Sequence, residues 1–274
     1  MVTVIIYALI MFGIFIWLIV ETVLRRRKLL PYLKYGLVCG ATLIVLDLAV
    51  LSCILSASKN IPPLKLVTIF FLNIFVFIRT VLYTIIGMYS CSKIRSPHLP
   101  LLRRLFRKNS PPSQKFITRS YMLTNIGLVL SFVVYSVILF KIISPKISEF
   151  LENVTQTKSA QYGVSNSPSV LTTLVVIEFA FAEEIIFRLG IQNLLAKTFR
   201  LSHKRYWIAV VLTAALWSLA HAHIINPAWV KIAQVFPLGI ALGFLCKKYG
   251  VENSILAHGV FNVIMMFLSH YLIY

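Results

Sequence analysis

The chain has 274 residues, of which 59% are hydrophobic and 13% are charged. Soluble domains usually carry about 25% charged residues, so this composition excludes an ordinary soluble protein and predicts one embedded in lipid. Twenty-seven Lys and Arg residues oppose eight Asp and Glu residues. Such an excess is also typical of nucleic-acid binding, but these cations fall between apolar runs. We therefore interpret them as a membrane topology signal and predict no nucleic-acid partner.

Eight apolar runs predict an all-α integral membrane protein with a bundle of about eight transmembrane helices. Most runs reach the roughly 20 residues that a helix needs to cross a hydrocarbon core of about 30 Å. The sixth and seventh runs are shorter. In chain order the predicted spans are Val2–Leu24, Tyr35–Leu55, Leu66–Tyr89, Tyr121–Ile143, Val170–Ala196, Tyr206–His223, Val230–Cys246 and Ser254–Tyr274.

The loops between these runs alternate in charge. The first, third, fifth and seventh loops hold most of the Lys and Arg residues. The positive-inside rule then predicts that these basic loops are cytoplasmic and that both termini lie on the outer side of the cell membrane. The longest basic connection, Cys91 to Arg119, contains four prolines and resists one long helix. It predicts two regions: residues 1–120 with helices 1–3 and the basic loop, and residues 121–274 with helices 4–8.

Ionisable residues inside the fifth run are the strongest chemical signal. A charge at bilayer depth costs several kcal/mol, so each one needs a partner, a wet cavity or a function. Arg188 follows Glu184 by four residues and lies on the same helix face, so it can neutralise that carboxylate. Glu183 lies on a different face of the helix from Arg188, so Arg188 does not neutralise it. We expect its carboxylate to face water or a partner that exchanges a proton with it. A buried ionic network between helices is the structural alternative.

The sixth and eighth runs hold histidines that could meet Glu183. Counting residues from the cytoplasmic helix ends places His221 within a few ångströms of the level of Glu183. His258 and Asn262 are four residues apart on one helix face, where both can donate hydrogen bonds to one oxygen. The same counting places that pair shallower than Glu183. Two polar residues hydrogen-bonded between helices are the alternative interpretation.

Three motifs lie in a fixed order on separate apolar helices. They are Glu183-Glu184-xxx-Arg188, an aromatic residue with three residues between it and His221, and His258-xxx-Asn262. This pattern resembles the CAAX protease and bacteriocin-processing family of intramembrane endopeptidases, which includes type II CAAX prenyl proteases and abortive-infection proteins. The resemblance covers roughly residues 170–265. The aromatic residue is Trp217, where the family more often has phenylalanine, and we expect it to affect the shape of the pocket and not the reaction type.

The resemblance implies an endopeptidase that hydrolyses a membrane-associated protein or peptide within the bilayer. The implied catalytic residues are Glu183, His221, His258 and Asn262, with Glu184 and Arg188 in support. The first glutamate and the first histidine would activate a water molecule, and the second histidine and the asparagine would stabilise the oxyanion. Prenylated proteins with a CAAX box and bacteriocin leader peptides are both substrates that the family allows, and no residue selects between them.

Three alternatives remain open at this point. A zinc-dependent version of the hydrolase would use Glu183, His221 and His258 as ligands, although the chain has no HExxH or CxxC motif and we predict no metal or other cofactor. A non-enzymatic bacteriocin-immunity membrane protein would keep the same fold. A transporter would distribute polar residues over both halves of the chain, whereas here they concentrate in the second half.

Overall fold

A computed structural model of the chain describes residues 2–57, 63–96, 99–100, 102, 119–148, 169–201 and 203–272. The regular structure of these residues is helical apart from one pair of two-residue strands. In lipid every backbone N–H and C=O must be satisfied internally, and a helix does so within a single apolar run. The prediction of an all-α membrane protein is therefore confirmed. Most of the predicted basic connector, residues 103–118, lies outside the described residues.

The helices follow the apolar runs in chain order. They are α1 (Val2–Leu29), α2 (Leu33–Ala57), α3 (Pro63–Ile94), α4 (Arg119–Ile143), α5 (Val170–Glu183), α6 (Gln192–Thr198), α7 (Tyr206–Ala220), α8 (Ala228–Tyr249) and α9 (Val251–Leu272). A π-helix, Glu184–Ile191, joins α5 to α6. Short 3₁₀ turns occupy Leu30–Tyr32 and His203–Arg205.

Five helical stretches of the described residues are long and apolar enough to cross a membrane. The first of them has 51 residues and runs through α1, a 3₁₀ turn and α2, more than twice the length that one crossing needs. The protein is thus a multi-pass helical membrane protein, while the count of eight spans stays a prediction. The stretches are Ile5–Leu55, Phe70–Ile94, Met122–Ile143, Ala228–Tyr249 and Val251–Ser269.

Close packing of α3 against the π-helix joins the first helices to the later ones. Gly87 on α3 lies so near the backbone carbonyl of Leu189 that a Cβ atom would clash with it, and a Cβ atom on Gly190 would clash with the ring of Tyr83. Helix α2 also packs against α5. The two predicted regions of the chain are therefore in direct contact, and their division at residue 120 stays a prediction.

The later helices surround the π-helix. Helix α9 packs against α4, α5 and α8, and α7 packs against α8. The two short strands, β1 (Lys146–Ile147) and β2 (Ile225–Asn226), pair antiparallel and tie the end of α4 to the loop after α7. Helix α7 ends at Ala220, three residues before the predicted end, because the following residues form a turn that leads into β2.

Candidate active site

The paired glutamates lie where α5 becomes the π-helix. Glu183 is the last residue of α5 and Glu184 is the first residue of the π-helix. Such π-helical segments occur frequently at functional sites. The side chain of Glu184 is fully buried, whereas that of Glu183 is 24% exposed. Two adjacent carboxylates are thus placed in different surroundings.

The carboxylate of Glu183 faces the imidazole of His221. Their closest atoms, Oε1 and Nε2, are 3.6 Å apart. Nδ1 of His221 lies 2.9 Å from the backbone oxygen of Trp217, which can only accept, so Nδ1 is the donor. In the neutral ring Nε2 is then an acceptor. Two acceptors at this separation cannot bond to each other, but one water molecule can donate a hydrogen bond to each.

His258 lies between the two carboxylates. Its Nδ1 is 3.0 Å from Oε1 of Glu184, and its Nε2 is 3.9 Å from Oε2 of Glu183. Since a carboxylate accepts, Nδ1 donates to Glu184, and Nε2 is directed towards Glu183. A hydrogen bond donated from Nε2 would therefore need the doubly protonated ring. The structure brings Glu183, His221 and His258 together at one site, and their catalytic roles stay predictions.

Asn262 lies one turn beyond His258 on α9. Its Nδ2 donates to the backbone oxygen of Val176 on α5 at 3.5 Å. That distance is at the long limit for a hydrogen bond, so the contact is weak. The structure places Asn262 on the same side of α9 as His258, with its amide in weak contact with the backbone of α5.

Glu184 is held by a network of buried side chains. Ser254 on α9 donates to its Oε2 at 2.6 Å, and His258 donates to its Oε1. Arg188 forms the predicted ion pair, with Nε at 3.6 Å from Oε2. The guanidinium carbon of Arg188 also lies 4.3 Å from the ring centroid of Trp217. Among the described residues the guanidinium of Arg188 has no hydrogen-bond partner, so charge and stacking hold this side chain.

Two residues that bind the paired glutamates, Trp217 and Ser254, were not predicted as partners from the sequence. Nε1 of Trp217 donates to Oε2 of Glu183 at 2.7 Å. A buried tryptophan generally needs a partner for its N–H, so this signal was present in the sequence. Ser254 precedes His258 by four residues and therefore shares its helix face, which was a second usable signal.

A third missed residue is Lys231 in the first turn of α8. Its Nζ donates to Oε1 of Gln234 at 2.8 Å, and its charge interacts with Glu183 and with His221. Gln234 in turn donates to Oγ of Ser136 on α4 at 3.0 Å. A cation is therefore positioned near the glutamate–histidine pair, on a helix for which the sequence predicts no catalytic residue.

Some of the atoms that could bind a metal ion are already engaged in hydrogen bonds. Oε2 of Glu183 accepts the indole N–H of Trp217, and Nδ1 of His258 is bonded to Glu184. Across the part of the chain that the structure describes, no group of three or more His, Cys, Asp or Glu side chains is arranged to hold a metal ion. The prediction of a site without a cofactor stays a prediction.

These observations define a multi-pass helical membrane protein with a partly buried glutamate–histidine site. Residues 165–264 match the family model described as Rce1-like, type II CAAX prenyl endopeptidase. The matched part of the chain includes every residue predicted for the site. The match confirms the resemblance and supports intramembrane peptidase activity. No curated protein matches the chain, and no solved structure matches it.

Proposed function

We propose that the protein is an intramembrane endopeptidase in which Glu183 and His221 activate a water molecule. The observation that carries the proposal is the 3.6 Å gap between Oε1 of Glu183 and Nε2 of His221. A water molecule that donates to both acceptors keeps a lone pair free for attack. Each side chain is also held through its other polar atom. Trp217 Nε1 donates to Oε2 of Glu183, and the backbone carbonyl of Trp217 accepts from Nδ1 of His221.

The reaction needs one proton to move twice. The water oxygen attacks the peptide carbonyl carbon while Glu183, assisted by His221, accepts a proton from the water. The resulting tetrahedral intermediate collapses with cleavage of the C–N bond. The same proton passes to the leaving nitrogen as that bond breaks, so the products are a carboxylic acid and an amine, and the pair returns to its starting state. The acid then gives its proton to the amine or to solvent.

Stabilisation of the oxyanion falls to His258 and Asn262 in this proposal. His258 would donate from Nε2 as an imidazolium, with the Glu184 carboxylate at Nδ1 balancing its charge. Asn262 would exchange its weak bond to the backbone of α5 for one to the oxyanion. Donors placed at a developing charge each contribute about 2.7–4 kcal/mol to lowering the barrier.

The substrate is proposed to be a membrane-associated protein or peptide. The family description names a CAAX prenyl endopeptidase, so a prenylated protein with a CAAX box is one substrate class. A bacteriocin leader peptide is the other class that the motif resemblance allows. Both would reach a site enclosed by apolar helices from the lipid phase.

The proposal is tested by comparing membrane peptides from cells that express the wild-type protein or Glu183→Gln. An uncut precursor should accumulate in the variant and identify the substrate. Glu178→Gln is the matched control, because Glu178 lies on the same helix and its carboxyl group interacts with Asp47 on α2. If no precursor accumulates and Glu183→Gln still protects cells against a bacteriocin, the protein acts as an immunity protein without catalysis.

The metal-dependent version of the hydrolase predicts a different response to chelation. Because Oε2 of Glu183 already accepts the indole N–H, and no group of three metal-ligating side chains is arranged to hold an ion among the described residues, we expect exhaustive chelation to leave the cleavage rate unchanged. Activity of the purified protein should be measured with and without a chelator, alongside its metal content. A rate that falls to background and returns with stoichiometric zinc would replace the metal-free mechanism.

A further inference from the structure

Trp217 occupies the centre of the site. Its side chain is 1% exposed, and its ring meets those of His221 and His258 edge-on, with centroids 5.0 and 5.1 Å apart. The guanidinium of Arg188 covers one face of the indole. The family that the motifs resemble more often has phenylalanine at this position. Phenylalanine has no N–H, so the bond from Nε1 to Glu183 requires the tryptophan.

Both members of the water-activating pair are anchored on this one residue. The indole N–H binds Oε2 of Glu183 at 2.7 Å and leaves Oε1 directed at His221. The backbone carbonyl of Trp217 binds Nδ1 of His221 at 2.9 Å and so directs Nε2 of the ring at the glutamate. The two acceptors that would hold the water are thus fixed relative to each other through a single residue.

The indole itself has little freedom to move. On the side of α8, a Cβ atom built on Gly239 would lie 3.0 Å from Cε3 of Trp217, so glycine makes room for the ring. On the other side, the ring lies against Arg188 at 4.3 Å. Its N–H therefore points at the carboxylate without the loss of side-chain entropy that a flexible donor would suffer.

We propose that Trp217 is a positioning residue that orients the Glu183 carboxylate for the attack of water. This inference rests on the peptidase function proposed above. Because Trp217 acts on the base and not on the substrate, its loss should reduce kcat and leave KM unchanged. A hydrogen bond to a charged group corresponds to a decrease in kcat of about 10- to 100-fold.

The test compares two changes at position 217 in the full-length reconstituted protein. Trp217→Phe removes the N–H and part of the ring, whereas the isosteric amino acid benzothienylalanine replaces only the N–H by sulfur. Trp207→Phe is the matched control, since Trp207 stacks on Phe244 at the surface of the bundle. We expect kcat to fall in both position 217 variants and to be unchanged in the control. A wild-type kcat with benzothienylalanine would show that only packing matters, and a change confined to KM would also overturn the proposal.

A second readout observes the hydrogen bond directly. The indole N–H resonance of Trp217, assigned by its disappearance in Trp217→Phe, should move when Glu183→Ala removes the acceptor. An unmoved resonance overturns the proposed contact. If the wild-type protein cleaves no peptide, the proposed function fails and the positioning role fails with it. If the wild-type protein is active and the position 217 variants keep its kcat, only the role of Trp217 fails.

Discussion

Glu183 and Glu184 are neighbours in the chain, but their surroundings suit them to different tasks. Glu184 is fully buried and has a hydroxyl, an imidazole and a guanidinium around it. A buried carboxylate needs such partners, because an uncompensated charge in low dielectric is strongly destabilising. Glu183 receives one hydrogen bond and faces two histidine nitrogens at 3.6 and 3.9 Å. It keeps the acceptor capacity that a general base requires.

Removal of Arg188 should destabilise the protein far more than removal of an exposed arginine. Arg188→Met leaves Glu184 buried without its counter-charge, and we expect a loss of about 3–5 kcal/mol in the free energy of unfolding. Arg25 forms an ion pair with Glu21 at the same four-residue spacing but is 37% exposed, so Arg25→Met should lose about 1 kcal/mol or less. Denaturant unfolding in bicelles measures both. Equal losses would contradict a structural role for the buried pair.

At the scale of helices, the π-helix carries Glu184 and Arg188, the two residues that support the site. Counting along straight helices placed His258 shallower than Glu183, whereas its Nε2 lies 3.9 Å from that carboxylate. The π-helix changes the direction in which residues after Glu183 point, and no pattern in the sequence predicts it. The small residues that seat α3 against this segment, Gly87 and Gly190, are therefore part of what holds the site in place.

A methyl group at Gly87 should disturb the π-helix from outside the site. Gly87→Ala would force the backbone at Leu189 to move, and overpacking of this kind destabilises by about 1–3 kcal/mol. Gly127→Ala is the control, because nothing lies within 4 Å of a Cβ atom there, and it should stabilise by roughly 0.5–1 kcal/mol. Thermal unfolding and peptide cleavage should be measured together. A Gly87→Ala protein with wild-type stability would show that this packing is unimportant.

The helices themselves could be predicted from the sequence because lipid allows an apolar run few other structures. Each of the eight predicted runs overlaps a helical segment of the structure. The site residues Glu183, His221 and His258 could be selected because ionisable groups inside such runs need a reason to be there. Which carboxylate Trp217 and Ser254 each bind depends on how the helices are rotated about their axes. Neither apolar periodicity nor residue counting determines that rotation.

Over the whole molecule, the basic ends of several helices meet on one face. Arg25, Lys93 and Lys197 lie 5.8, 5.6 and 5.4 Å from the ring centroid of Tyr89, and Lys197 pairs with Glu21 at 2.6 Å. Arg25, Lys93 and Lys197 follow the C-terminal ends of the first, third and fifth predicted spans. The three cations are close together, so the first, third and fifth loops lie on the same side of the membrane, as the alternation of basic loops predicts. The side of the membrane that this face occupies stays a prediction.

Cysteine labelling of intact cells tests that orientation. Lys204 lies in the fifth loop, and Asn226 lies in β2 in the sixth loop. We expect an impermeant maleimide to label Asn226→Cys in intact cells and Lys204→Cys only after permeabilisation, because the positive-inside rule places the fifth loop in the cytoplasm. The parent protein, with its four native cysteines, gives the background. The opposite pattern would reverse the predicted topology.

The central claim is that Glu183 and His221 act together on one water molecule. The most direct test is a double-variant cycle on peptide cleavage by the protein reconstituted in liposomes, with Glu183→Gln, His221→Gln and the two combined. Each single change should lower kcat by about 10²–10⁴-fold, and the double variant should be no slower than the slower single variant, because residues acting as a unit are not additive. A wild-type rate for Glu183→Gln, or losses that multiply in the double variant, would contradict the account.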